Sequence, residues 1–311
     1  MILHSSSLFS VLLHLVGLFQ QCSGFSFFPS ATRRSSSTSS ALFGRRGRKQ
    51  QQQRQKKQPT KEATTIKQPR VTTRPKSELT SLTIASDCTI QIAQINSNDP
   101  WWETTQNPYG ARVWPASFGI AQYLWQQHQQ GDYLEGIQAF EVGCGTGLVS
   151  QTVALAGATV QATDVSPVAL QLTQQGWDAT VKQHQNSASS LLTTSIYDIT
   201  QPLPPPNDSK TTRSQQLFLA SCVLYEGDLG IAMAQRVKEA YQRGMWILLG
   251  DDDSGYREGG RQSFLEQLAL GSLGSITSQI EWKQGTVQCT EMGWREKPFS
   301  FLEFNAPKKE V

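Results

Sequence analysis

The sequence predicts an α/β fold: an open, mostly parallel sheet of seven strands, with helices on both faces and an antiparallel strand pair at the C-terminus. Three observations predict it. Short apolar runs alternate with stretches of helical spacing between residues 137 and 270. The first run ends on a glycine-rich loop and the second on an aspartate. Turn residues then separate each later run from the next. Repeated strand–helix units of this kind close into a parallel sheet through right-handed crossovers.

The elements follow in order. Ile137–Val142 (IQAFEV) is apolar and short, which suits a buried strand. Gly147 to Ala156 has helical spacing, and Gly157 can close that helix as a left-handed cap. Thr159–Asp164 (TVQATD) is the second strand. Ser166 and Pro167 suit an N-cap and a first turn, and the helix they open is expected to stop at Gly176. Ser195–Ile199 is a short third strand, and the proline-rich stretch Gln201–Gln216 is a loop. Leu217–Leu224 (LFLASCVL) is the fourth strand. Asp228 can cap a helix whose Leu229, Met233, Val237 and Tyr241 share one face. Met245–Gly250 is the fifth strand and Ser263–Leu270 a further helix. Thr286–Thr290 and Phe299–Phe304 form the final antiparallel pair.

Charge divides the chain. Residues 1–80 carry 14 of the 28 basic side chains but only Glu62 and Glu78 of the 25 acidic ones. The rest is therefore acidic, which argues against a nucleic-acid partner, because phosphate contacts need clustered Lys and Arg. Residues 8–19 (LFSVLLHLVGLF) are apolar, too short for a membrane span of about 20 residues but suited to a signal peptide. Residues 1–24 are read as that signal peptide. Residues 25–78 are rich in Ser, Thr, Gln and Arg, a transit-like basic segment expected to be disordered. Together they resemble the bipartite presequences of algae with complex plastids; the other reading is a secreted or signal-anchored protein. After processing, no integral membrane association is expected. Residues 79–311 form the folded domain, expected as a monomer. The five cysteines lie apart and the four histidines are isolated, so neither a disulfide framework nor a metal site is expected.

In such a sheet a ligand lies at the carboxyl ends of the strands, near the first strand–helix turn. That turn is Glu141-Val142-Gly143-Cys144-Gly145-Thr146-Gly147. Glycines here permit a tight turn and close backbone approach. Leu148 stands where a dinucleotide fingerprint has its last glycine. A carboxylate at Glu141 repels a pyrophosphate and favours a cation, and S-adenosylmethionine is cationic at its ammonium and sulfonium. Asp164, 21 positions after Gly143, suits the ribose hydroxyls. Asp198, expected to end the third strand, suits an adenine amino group. Cys144 is read as a small loop residue rather than a nucleophile.

EVGCGTG with Asp164 resembles motifs I and II of class I, seven-β-strand methyltransferases, which have a Rossmann-like sheet. The segment Tyr109-Gly110-Ala111-Arg112-Val113-Trp114-Pro115 resembles the YGxxxWP element of their protein lysine methyltransferase branch. The resemblance spans about residues 98–270 and makes residues 79–311 a methyltransferase domain. It implies S-adenosylmethionine as donor and a lysine side chain of a protein as acceptor; a small-molecule acceptor and a non-catalytic donor-binding module are the other readings. By resemblance Trp114 walls the donor pocket; its other reading is a core aromatic under the sheet. Ser221, in the fourth strand, is a further candidate contact of the donor. The family's D-x-x-Y pattern falls on Ala220–Glu226 (ASCVLYE). If Tyr225 is its tyrosine, Cys222 replaces the aspartate; one register away, Ser221 and Leu224 replace both residues. Tyr225 and Glu226 are the candidate catalytic residues, orienting the amine, and Trp101 and Trp102 are either channel walls or a hydrophobic plug at the domain edge. Asp251-Asp252-Asp253 reads as a solvated loop rather than a metal cluster.

Overall fold

The computed structural model describes residues 75–104, 108–131, 134–184, 191–205, 216–252, 259–270 and 280–305. The signal peptide and most of the transit-like segment lie outside these residues. Among the described residues no helix is long and apolar enough to cross a membrane, and no group of three or more His, Cys, Asp or Glu can hold a metal ion.

Seven strands form one sheet in the order β5-β4-β3-β6-β7-β9-β8. The parallel strands are β3 (Gln138–Val142), β4 (Thr159–Asp164), β5 (Leu192–Ile196), β6 (Gln216–Ser221) and β7 (Trp246–Asp252). The C-terminal strands β8 (Lys283–Cys289) and β9 (Trp294–Phe304) pair antiparallel, and β9 also runs antiparallel to β7. Every residue of β6 and β7 is buried, as central strands covered on both faces require.

The period of two along these strands sorts side chains to two cores. Leu217, Leu219, Trp246 and Leu248 pack with residues of helices α2 (Pro115–Gln129), α3 (Leu148–Leu155) and α4 (Pro167–His184) on one face. Phe218, Ala220, Ile247 and Leu249 pack with α5 (Gly227–Gln242) and α6 (Gly260–Ala269) on the other. Each fully buried large side chain of this kind contributes about 1.5–3 kcal/mol. The strand order reverses at β3, where β4 departs to one side and β6 returns on the other. That reversal opens a crevice at the carboxyl ends of the strands, the place where open α/β sheets bind ligands.

Several boundaries differ from those read in the sequence. A hairpin, β1 (Ser77–Ala85) with β2 (Cys88–Ile95), precedes the sheet and was not anticipated. Its Leu82, Ile84, Ile90 and Ile92 are buried, and Thr180 of α4 accepts the Gln91 amide at 2.8 Å. That packing explains why α4 runs through Gly176 rather than stopping there. A Cβ at Gly176 would stand 2.7 Å from the Gln91 carbonyl oxygen, so the glycine serves close approach of helix and hairpin, not helix termination. A short helix α1 (Trp101–Thr104) and a 3-10 turn Tyr109–Ala111 link the hairpin to α2.

The third strand of the parallel set is Leu192–Ile196, three residues earlier than expected, so Asp198 lies beyond its end. Helix α5 has Glu226 at its N-cap position, and Asp228 sits inside the first turn rather than capping it. Asp251 and Asp252 do not lie in a solvated loop: they belong to β7 and are 2% and 6% exposed, while Asp253 lies outside the described residues. The Asp252 carboxylate is met by a donor: the Ala116 amide at the start of α2 donates to its Oδ1 at 2.7 Å.

Candidate functional site

The loop after β3 is shaped by three left-handed glycines. Gly143, Gly145 and Gly147 have φ of 68°, 56° and 76°, a region that side-chain-bearing residues enter at a cost. Space excludes side chains as well. A Cβ at Gly143 would meet Val223 Cγ1 at 2.6 Å, and one at Gly147 would meet Thr173 Cγ2 at 2.5 Å. The loop is pinned to its neighbours: the Cys144 amide donates to the Thr163 carbonyl at 2.9 Å, and Thr173 Oγ1 donates to the Gly145 carbonyl at 2.9 Å.

Beside this loop lies a cavity of about 320 Å³. Its floor is Val142 through Thr146 with Leu148. One side carries Asp164, Val165 and Ser166 from the end of β4, and Tyr197, Asp198 and Ile199 from beyond β5. The opposite side carries Ser221, Cys222, Val223, Tyr225, Glu226 and Leu229. Tyr109, Gly110, Arg112, Trp114 and Ser117 complete the wall.

The acids behave differently from one another. Asp164 is 8% exposed, and its two oxygens accept the amides of Gly145 (3.0 Å) and Ser166 (2.8 Å). Burial raises its carboxyl above the usual range, opposed by those amide bonds. Asp198 is exposed and accepts the Thr200 amide (2.9 Å) and hydroxyl (2.8 Å). These bonds hold it below the usual carboxylate range. Glu141 is 1% exposed, does not line the cavity, and accepts a hydrogen bond from the Ser150 hydroxyl of α3. Burial pushes its carboxyl up to about 7. The expectation that Glu141 presents a negative charge to a ligand is therefore corrected: it is a core carboxyl tying β3 to α3. Gly147 likewise is no part of the wall; it is the left-handed N-cap of α3.

Gly143, Cys144, Gly145 and Ser221 line the cavity. The Cys144 thiol lies 3.5 Å from Thr173 Oγ1, and burial raises its pKa well above the ordinary thiol value, which disfavours the thiolate a nucleophile needs. Trp114 is half-buried, donates its indole N–H to the Tyr109 carbonyl at 2.8 Å, and lies on the cavity wall as well as against the core. Trp101 and Trp102 do not line the cavity; they pack on Ala93, Ile95, Ala111 and Leu172, which makes them the plug.

Among the wall residues Glu226 and Tyr109 are exposed and Tyr225 is half-buried, which puts them at the cavity's opening, its mouth. The Tyr225 ring lies 4.8 Å from that of Tyr109, tilted by 41°, and Tyr109 in turn lies 6.1 Å from Trp114. The guanidinium of Arg112 lies 4.3 Å from the centre of the Trp114 ring, a cation–π contact. Among the described wall residues Arg112 is the one cation.

Sequence reasoning did not single out Arg112, Val165, Ile199, Val223 or Leu229 as site residues. Val165 carried a signal: it is apolar, follows the strand-ending aspartate, and is 56% exposed. An apolar side chain left at a rim beside a cavity suits a flat ligand ring.

Comparison with solved structures finds distant likenesses. Magnesium protoporphyrin IX methyltransferase from Synechocystis with bound S-adenosylmethionine is 14% identical, covering 64% of this chain and 85% of that one, with a TM-score of 0.41. A putative RNA methyltransferase from Pyrococcus horikoshii is 13% identical over 71% of this chain and 93% of that one, with a TM-score of 0.39. The N-methyltransferase NodS from Bradyrhizobium japonicum is 14% identical over 61% of this chain and 98% of that one, with a TM-score of 0.36. Residues 96–268 match the family described as lysine methyltransferase. That match spans more than half of the 311 residues and contains the glycine loop, Asp164 and Tyr225, so the chain belongs to the lysine methyltransferase family of S-adenosylmethionine-dependent methyltransferases.

Proposed function

We propose that this protein transfers a methyl group to the side-chain nitrogen of a lysine in a protein substrate. The observation that carries the acceptor reading is the aromatic mouth: Tyr225 against Tyr109 at 4.8 Å, with Glu226 on the same wall. A flexible cationic side chain suits such an opening, because aromatic faces attract cations and exclude water from their stems.

The cavity residues fit the donor. The floor at Gly143 and Gly145 is backbone without side chains. Each oxygen of Asp164 accepts one amide and keeps a lone pair for a ribose hydroxyl. Val165 and Ile199 offer apolar surface to a planar base, with the Asp198 carboxylate nearby on the same wall. Arg112, the cation on this wall, is the group we assign to the donor's carboxylate. S-adenosylmethionine, when bound, supplies a methyl group already activated by a sulfonium.

What the chain must then do is align and deprotonate the amine. Positioning supplies the larger part, since an in-line displacement between held partners is limited by orientation. A lysine has a reference pKa of ~10.4. Burying its nitrogen among Tyr109, Trp114 and Tyr225 disfavours the charged form and lowers that value. Glu226, exposed at the mouth, attracts the incoming ammonium before it is buried.

The test is incubation of the full chain with tritiated S-adenosylmethionine and an extract of source cells lacking the enzyme. Label in protein, traced to lysine by mass spectrometry, is the expected result. Label only in low-mass products would assign a small-molecule acceptor instead. We further propose that the basic tail directs the protein to a plastid. Residues 1–65 fused to a fluorescent protein should mark that organelle, and a uniform cytosolic signal would overturn this.

A further inference from the structure

Asp252, at the end of β7, is buried and does not line the cavity. Its Oδ1 nonetheless accepts hydrogen bonds from two segments that do. One donor is the Ala116 amide at 2.7 Å, two residues after Trp114 in the first turn of α2. The other is the Cys222 thiol, with sulfur 3.5 Å away.

Cys222 directly follows β6 and has a left-handed backbone, φ 59°. A residue with a side chain holds that conformation only where its surroundings impose it. Two bonds fix it here: its amide donates to the Gly250 carbonyl at 2.9 Å, and its thiol donates to Asp252. The turn at 222 aims the next residues. Val223 is set against Gly143, where a Cβ would collide with it, and Tyr225 against the Tyr109 ring. One carboxylate thus ties the Trp114 wall to the wall that crosses from the glycine loop to the mouth.

We propose that Asp252 is a positioning residue of the methyl-transfer site, setting the wall that carries Val223 and Tyr225 through the Cys222 thiol. This rests on the methyl-transfer reading above. Both bonds end on one oxygen, Oδ1. An amide in place of the carboxylate keeps an acceptor oxygen for both donors, whereas Asp252→Ala removes it.

The experiment measures S-adenosylmethionine affinity by calorimetry, and label transfer to the extract over a range of donor concentrations, on the full chain. Asp252→Ala is expected to lower the maximal transfer rate at least tenfold while the donor's dissociation constant and apparent KM change less than threefold. Asp252→Asn, which keeps the acceptor oxygen, is expected to restore the rate to within threefold of the wild type. Cys222→Ser, which keeps a donor, should likewise restore it, whereas Cys222→Ala should lose rate as Asp252→Ala does; this pair decides the matter even if Asp252→Ala does not fold. Normal transfer by Asp252→Ala or by Cys222→Ala would overturn the proposal, as would a folded Asp252→Asn that stays as slow as Asp252→Ala. A wild type that binds no S-adenosylmethionine would overturn the methyl-transfer reading itself, an outcome distinct from these.

Discussion

Asp164 Oδ2 accepts the backbone N–H of Gly145 at 3.0 Å, so the acid that ends β4 also fastens the glycine loop that follows β3. Its other oxygen accepts the Ser166 amide that opens α4. Asp164→Ala removes the loop tether and the ribose acceptor together. Charge-assisted hydrogen bonds are worth about 1.5–3 kcal/mol each, so donor affinity should fall about 10- to 100-fold. Asp164→Asn keeps an acceptor and should lose less. Calorimetry with S-adenosylmethionine checks this, and unchanged affinity in Asp164→Ala would show that the ribose lies elsewhere.

Glu141 predicts a pH dependence of stability. Its carboxyl titrates at about 7 in the fold against an ordinary value of 4.5, because burial disfavours the charge. Between those values the folded protein holds a proton that the unfolded chain releases. This contribution to stability is complete below about pH 4.5 and is lost as pH rises through 7. At 1.36 kcal/mol per pKa unit the loss is at most about 3 kcal/mol. Glu141→Gln escapes it and can still accept from Ser150. Its Tm should exceed that of the wild type at pH 8, and the gap should close toward pH 5. A gap independent of pH would show that Glu141 stays ionised in the core.

Much of the parallel sheet was legible because its signals are local. The apolar runs around residues 140, 162, 219 and 248 are long enough to mark strands, and the left-handed glycines mark the loop between the first of them and α3. What escaped depends on distant contacts. Gly176 reads as a helix stop in isolation; only the approach of Gln91, 85 positions earlier, shows that it is a packing glycine. Asp251 and Asp252 read as a loop because charge disfavours a buried strand, and the Ala116 amide that receives one of them is far away in the chain. Glu141 was placed correctly on β3, but which way its side chain is engaged follows from Ser150 on α3. The β1–β2 hairpin did carry a period of two, in Leu82 and Ile84 and again in Ile90 and Ile92, next to the basic tail.

Gly176→Ala tests the hairpin contact. The added Cβ would stand 2.7 Å from both the Gln91 carbonyl oxygen and Gln151 Nε2. Overpacking of this kind costs about 1–3 kcal/mol. Thermal unfolding should show the loss, and donor affinity of the folded variant should be unchanged because the residue does not line the cavity.

Tyr225 tests the mouth. Tyr225→Phe keeps the ring against Tyr109, whereas Tyr225→Ala opens the mouth to water. Loss of orientation at a reacting centre costs on the order of 10²-fold in rate. Tyr225→Ala should therefore transfer label far more slowly with donor affinity nearly intact, and Tyr225→Phe should separate the ring's part from the hydroxyl's. Equal rates in wild type and Tyr225→Ala would remove Tyr225 from the acceptor site.

The central claim is that the cavity between the glycine loop and Asp164 holds the donor. A crystal structure with S-adenosylhomocysteine bound tests it most directly. The predicted result is the nucleoside lying along Gly143–Gly145 with its ribose on Asp164 and its base against Val165. An occupied site elsewhere on the chain, with this cavity filled only by solvent, would contradict it.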